Sequence, residues 1–192
     1  MGGAARPRET ASVGNVWLDG LLWGSQWSSD GATTVIDTYV AGQTGNEAVL
    51  DGLGSSVAAT SPYPREAAAM GEAMSAYEAV CDLRFNMVEA QADADLVWTV
   101  VSNFDALGAY GWSTPPGYAQ VDGEARSLVA INYEAYYPQS GSNFLVRGGF
   151  DFCTFIHELG HAVGLAHPHD SGGGSSVFPG VSSAFDDLGD FD

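Results

Sequence analysis

All four histidines of this chain fall inside one short stretch, His157 to Asp170, which reads HELGHAVGLAHPHD. That stretch constrains the fold more than any other, because it asks for a helix, a sharp stop and a return. His157 and His161 lie one helical turn apart, so on a helix they share a face and can grip one ion. Glu158 is rotated from His157 by about 100°, which sets its carboxylate beside such an ion and not on it. Gly164 stands where the helix must end, and glycine tolerates the left-handed turn that ends it. His167 can then swing back as a third nitrogen ligand, and Pro168 bars any immediate return to helix. Three neutral imidazoles with a fourth position open describe a catalytic zinc site, whereas structural sites are closed. The plain alternative is a core helix with chance histidines. Five fixed residues at these offsets arise by accident about once in 10⁵ chains of this length.

The pattern H-E-x-x-H-x-x-G-x-x-H over His157–His167 resembles the metzincin zinc endopeptidases. The continuation His167-Pro168-x-Asp170, with Thr154-Phe155-Ile156 leading in, is most similar to the serralysin branch (peptidase M10 type). The resemblance implies an enzyme that hydrolyses internal peptide bonds of proteins. His157, His161 and His167 would bind one Zn2+, and Glu158 would be the general base toward a zinc-activated water. Asp170 would orient the turn or a ligand imidazole, with a plain loop-capping role as the alternative, and Gly164 would turn the chain. The implied fold is α+β, a metzincin N-terminal subdomain with a twisted, mostly parallel mixed sheet backing two long helices. The edge strand above the zinc pairs with extended substrate in that family, which points to Ala109, Tyr110, Gly111 and Trp112; a surface hairpin is the alternative. The family also carries a methionine turn after the third histidine. Here the methionines are Met1, Met70, Met74 and Met87, so the C-terminal subdomain is expected to be incomplete and the chain truncated before that turn. Calcium would belong to C-terminal repeats that this sequence lacks. A catalytically impaired or non-catalytic zinc-binding relative is the second function class.

Composition narrows the partners. A formal charge of −18 over 192 residues argues against nucleic acid or an anionic membrane. No apolar run reaches the ~18 residues of a transmembrane helix. The start, Met1 to Arg8, has no apolar core of a Sec signal, so a secreted location follows from resemblance alone. A protein or peptide substrate and a monomeric state are expected. Cys81 and Cys153 are expected on helices that pack near each other, as a disulfide or as two buried free thiols. Cys153 precedes His157 by one turn, which gives it a minor claim as a ligand. His169 has a similar claim against simple solvation.

Along the chain, residues 1–12 read as a flexible tail and 13–192 as one metalloprotease domain. Val16–Trp27 resembles the opening segment of serralysin-like domains, where a short helical piece precedes the first strand, with a generic amphipathic turn packing Trp17, Leu21 and Leu22 as the alternative; Thr33–Val40 reads as that strand. Residues 41–62 read as a loop. Pro64–Val80 reads as a helix with Met70, Met74, Tyr77 and Cys81 on one stripe. Leu83–Val88, Asp95–Ser102, a glycine-broken Leu107–Thr114 and Leu128–Asn132 read as strands, and the Tyr133–Asn143 loop as a border of the cleft. Phe150–Ala166 reads as the site helix, with Asp151 as N-cap and Phe152, Phe155, Ile156, Leu159 and Val163 facing the sheet. The acidic Asp186–Asp190 tail reads as solvated, with calcium binding the weaker alternative.

Overall fold

A computed structural model describes residues 3–43, 45, 47–50, 56–102, 109–121, 124–132, 145–171 and 174–182. Among the described residues the architecture is α+β: a large mixed sheet with two long helices on one face, and a separate two-stranded pair. Its parallel centre consists of β4 (Thr34–Val40), β8 (Leu96–Val101) and β11 (Glu124–Asn132), with β7 (Leu83–Met87) and the short β1 (Gly3–Ala4) also parallel to β4. The run TVIDTYV alternates as a half-buried strand should, and Ile36, Thr38 and Val40 face inward. Every residue of LVWTVV in β8 is buried instead, because that strand is covered on both faces.

The two faces have separate cores. On one, Leu96, Trp98 and Val100 of β8 meet Ala69, Met70 and Ala73 of α2 (Pro64–Glu78) and Phe152, Phe155 and Leu159 of α3 (Phe150–Val163). On the other, Val97 and Leu128 pack with Ala41, Val49 and Ala59. Each large apolar side chain so buried stabilises the fold by roughly 1.5–3 kcal/mol before entropy is counted. The α2 stripe follows its spacing: Met70 is buried, Met74 and Tyr77 border the core, and Cys81 at the end is exposed. Pro64 opens that helix, and the Tyr63 main-chain N–H donates to Glu66 Oε2 at 2.7 Å.

Four expectations need correction. Residues 6–9, placed in a flexible tail, form β2 (Arg6–Glu9) antiparallel to β3 (Ser25–Ser28), and Ala5 beside it is buried. The segment 41–62, read as loop, contains the hairpin β5 (Glu47–Leu50) and β6 (Ser56–Thr60), whose Val49 and Ala59 close the second core. Asp151 is not the N-cap; Gly149 is, and Asp151 sits in the first turn with Oδ2 buried and unpaired. That burial pushes its carboxyl above the ordinary range. Cys81 and Cys153 are both exposed free thiols with no disulfide between them. The Tyr133–Asn143 loop and the Asp186–Asp190 tail lie outside the described residues. Among the described residues no helix is long and apolar enough to cross a membrane.

Candidate metal centre

The site is built on the last turns of α3. Phe155 and Leu159 anchor one side of the helix in the core, which turns His157 and His161 toward a cleft on the other. Side chains from outside bond the helix's main chain: Tyr77 Oη donates to the Ile156 carbonyl at 3.1 Å, and Trp27 Nε1 and Ser127 Oγ donate to the Ala162 carbonyl at 2.9 and 3.2 Å.

Gly164 then ends it at φ 114°, ψ 15°. A Cβ at this position would overlap the Ser25 carbonyl oxygen, so both conformation and space demand glycine. Beyond it the chain runs antiparallel to residues 21–23. The Trp23 N–H donates to the Gly164 carbonyl at 2.9 Å and the Ala166 N–H to the Leu21 carbonyl at 3.0 Å. This short bridge, with Leu22 opposite Leu165, carries His167 back over the helix.

The three rings converge. Nε2 of His161 lies 3.0 Å from Nε2 of His157 and 3.0 Å from Nε2 of His167, and the remaining pair is 3.3 Å apart. Three nitrogens around a tetrahedral zinc at its usual bond length stand about 3.3 Å apart. Their outer nitrogens explain why they meet. His161 Nδ1 is 2.9 Å from the Leu165 carbonyl, which can only accept, so Nδ1 carries the hydrogen and Nε2 is a bare lone pair. His167 Nδ1 stands 3.0 Å from Asp170 Oδ2 and is assigned the same tautomer. Bare lone pairs at 3.0 Å repel unless a cation lies between them, so the donor set fits Zn2+.

Asp170 also accepts the His167 main-chain N–H at 3.0 Å on the same Oδ2, so one carboxylate oxygen fixes both backbone and ring of that residue. His169 lies outside the cluster. Its ring stacks on His167 at 4.9 Å between centroids, and its Nε2 is 3.9 Å from Asp170 Oδ1. Cys153 lines the cleft but does not join the three-histidine group.

A cleft of about 1110 Å³ opens above the histidines, walled by Trp23, Tyr110, Ser113, Phe150 and Ile156 among others. Ala109, Tyr110, Gly111 and Trp112 all line it, although Trp112 also packs on the second core. The strand itself, β9 (Gly111–Ser113), is antiparallel to β11. The bonds Thr114 N–H to Leu128 O and Asn132 N–H to Tyr110 O mark the ladder's paired positions. The peptide groups of Gly111 and Ser113 therefore point away from β11, toward the outer edge. The residue missed from the sequence is Ser113, whose Oγ lies 2.9 Å from Glu158 Oε2. Glu158 is 6% exposed and fills the space a Gly111 side chain would need.

No family model and no curated protein matches the chain. Among solved structures, high choriolytic enzyme 1, a hatching enzyme zinc-protease from the medaka fish Oryzias latipes, is similar at 17% identity and a TM-score of 0.41. The match covers 84% of this chain and 56% of that one, so this chain spans little more than half of that structure.

Proposed function

We propose that the protein is a zinc-dependent endopeptidase of the metzincin class, of the serralysin branch, acting outside the cell. The observation that carries this is the meeting of three histidine Nε2 atoms within 3.0–3.3 Å beside a buried glutamate in an open cleft. The branch rests on His167-Pro168-x-Asp170, and the contact of Asp170 with His167 supports it.

His157, His161 and His167 hold the zinc, which when bound supplies Lewis acidity toward the attacking water and the scissile carbonyl. Glu158 accepts the proton that the water loses, then returns it to the amine nitrogen as the peptide C–N bond breaks. The outer edge of β9 takes the substrate as an added strand, with the outward peptide groups of Gly111 and Ser113 bonding its main chain and Tyr110 flanking its side chains. Main-chain recognition of an extended segment suits cleavage within a protein.

Glu158→Gln keeps the shape of the side chain and removes the base. The zinc-loaded variant retains its metal and loses nearly all cleavage of an unfolded protein substrate, while a chelator abolishes cleavage by the wild type. Comparable turnover in Glu158→Gln removes Glu158 from its role. A wild-type chain that binds zinc and cleaves nothing is the non-catalytic relative instead.

A further inference from the structure

One face of β9 is shaped to the Glu158 carboxylate. Ser113 Oγ lies 2.9 Å from Glu158 Oε2 and 2.8 Å from the main-chain carbonyl oxygen of the same residue. Two positions earlier, and so on the same side of the strand, a Cβ on Gly111 would stand 2.6 Å from Glu158 Cγ and 2.7 Å from Oε1. A hydroxyl thus meets one carboxylate oxygen, and a missing side chain makes room for the rest of the group.

We infer that Ser113 is a positioning residue for Glu158, its hydroxyl donating to the carboxylate from the paired strand β9 so that the base stays in one rotamer; this rests on the endopeptidase reading above. A glutamate side chain has three rotatable bonds, and its carboxylate must first reach a water and then an amine nitrogen within hydrogen-bond distance. Ser113 stands on a strand fixed by its ladder to β11, so a bond from its hydroxyl to Glu158 Oε2 holds the far end of that side chain against a rigid support. The single hydroxyl proton serves one acceptor at a time, and its donation to the carboxylate is the stronger of the two, being charge-assisted. Gly111 backs this up from the other side, because the space that the carboxylate occupies has no other claimant on the strand.

A plain strap between β9 and α3 would use the main-chain carbonyl alone, and experiment separates the two. Ser113→Ala and Ser113→Thr are compared with wild type in the zinc-loaded chain for kcat, KM, zinc content and the 13C resonance of the Glu158 carboxyl, assigned by its loss in Glu158→Gln. Ser113→Ala lowers kcat about tenfold, the scale of one lost hydrogen bond to a charged group. KM stays within about twofold, zinc content is unchanged and the carboxyl resonance moves. Ser113→Thr restores kcat and resonance together. An unmoved resonance with wild-type kcat in Ser113→Ala overturns the inference, as does a loss that falls on KM or zinc content and that threonine does not repair. If wild type cleaves nothing while the resonance still moves, the endopeptidase reading fails and the positioning contact stands.

Discussion

Gly164 decides where His167 goes. At φ 114° and pressed against the Ser25 carbonyl, it allows the helix to stop in time for the third ring to reach the other two. Gly164→Ala is expected to destabilise the protein by about 2–3 kcal/mol from backbone strain with added crowding, seen in denaturant unfolding, and to weaken zinc binding as well. Asp170→Ala frees the ring and the backbone of His167 together. Loss of such an outer partner costs about 10- to 100-fold in metal affinity, measured by competition with a chelator; unchanged affinity would assign Asp170 to loop capping alone. These residues were legible because they are close in sequence and their spacing maps directly onto helix geometry. Ser113 was not: its partner is 45 positions away, and only the folded β9 brings the two together.

At the scale of elements, the α2–α3 contact holds the site helix. Tyr77 Oη bonds the Ile156 carbonyl, and burial, with a lesser contribution from Cys81, pushes its phenol up to about 12 from 10.0. The folded form therefore keeps the proton longer than the unfolded chain. Its stabilising share is fully present below pH ~10 and is lost as pH rises through ~12, by at most about 2–3 kcal/mol. Tyr77→Phe should cost about 1 kcal/mol at neutral pH and show less loss of stability across that alkaline window; parallel pH profiles for the two proteins would contradict this. Leu159→Ala, wholly buried under the motif, should cost about 2–5 kcal/mol. The helices were readable from their apolar stripes. The β5–β6 hairpin was not, since its short strands carry few large apolar residues and are fixed by the back of β8. The β2–β3 pair was hidden for a similar reason: Arg6–Glu9 has a polar, proline-containing sequence that finds order only against Ser25–Ser28.

For the whole molecule, two forces pull against each other. A formal charge of −18 makes the compact state repel itself, so raising salt from low to physiological strength should lift the melting temperature by about 2–5 °C at fixed free zinc. Under the proposed function zinc would bind the folded state through His157 and His161 of α3 and His167 beyond it, and would stabilise that state by mass action. Individual strands and the two long helices were legible from alternation and apolar stripes, and the mixed sheet was implied by the metzincin resemblance, while the strand order and the walls of the cleft depend on contacts between distant segments. One ion held by three imidazoles is the centre of the proposed function. Calorimetric titration of zinc into metal-stripped wild type and His161→Ala tests this most directly. One zinc per chain is predicted for wild type, with affinity reduced at least about a hundredfold in the variant. A wild type that takes up no zinc, or a variant that binds it equally well, would contradict the account.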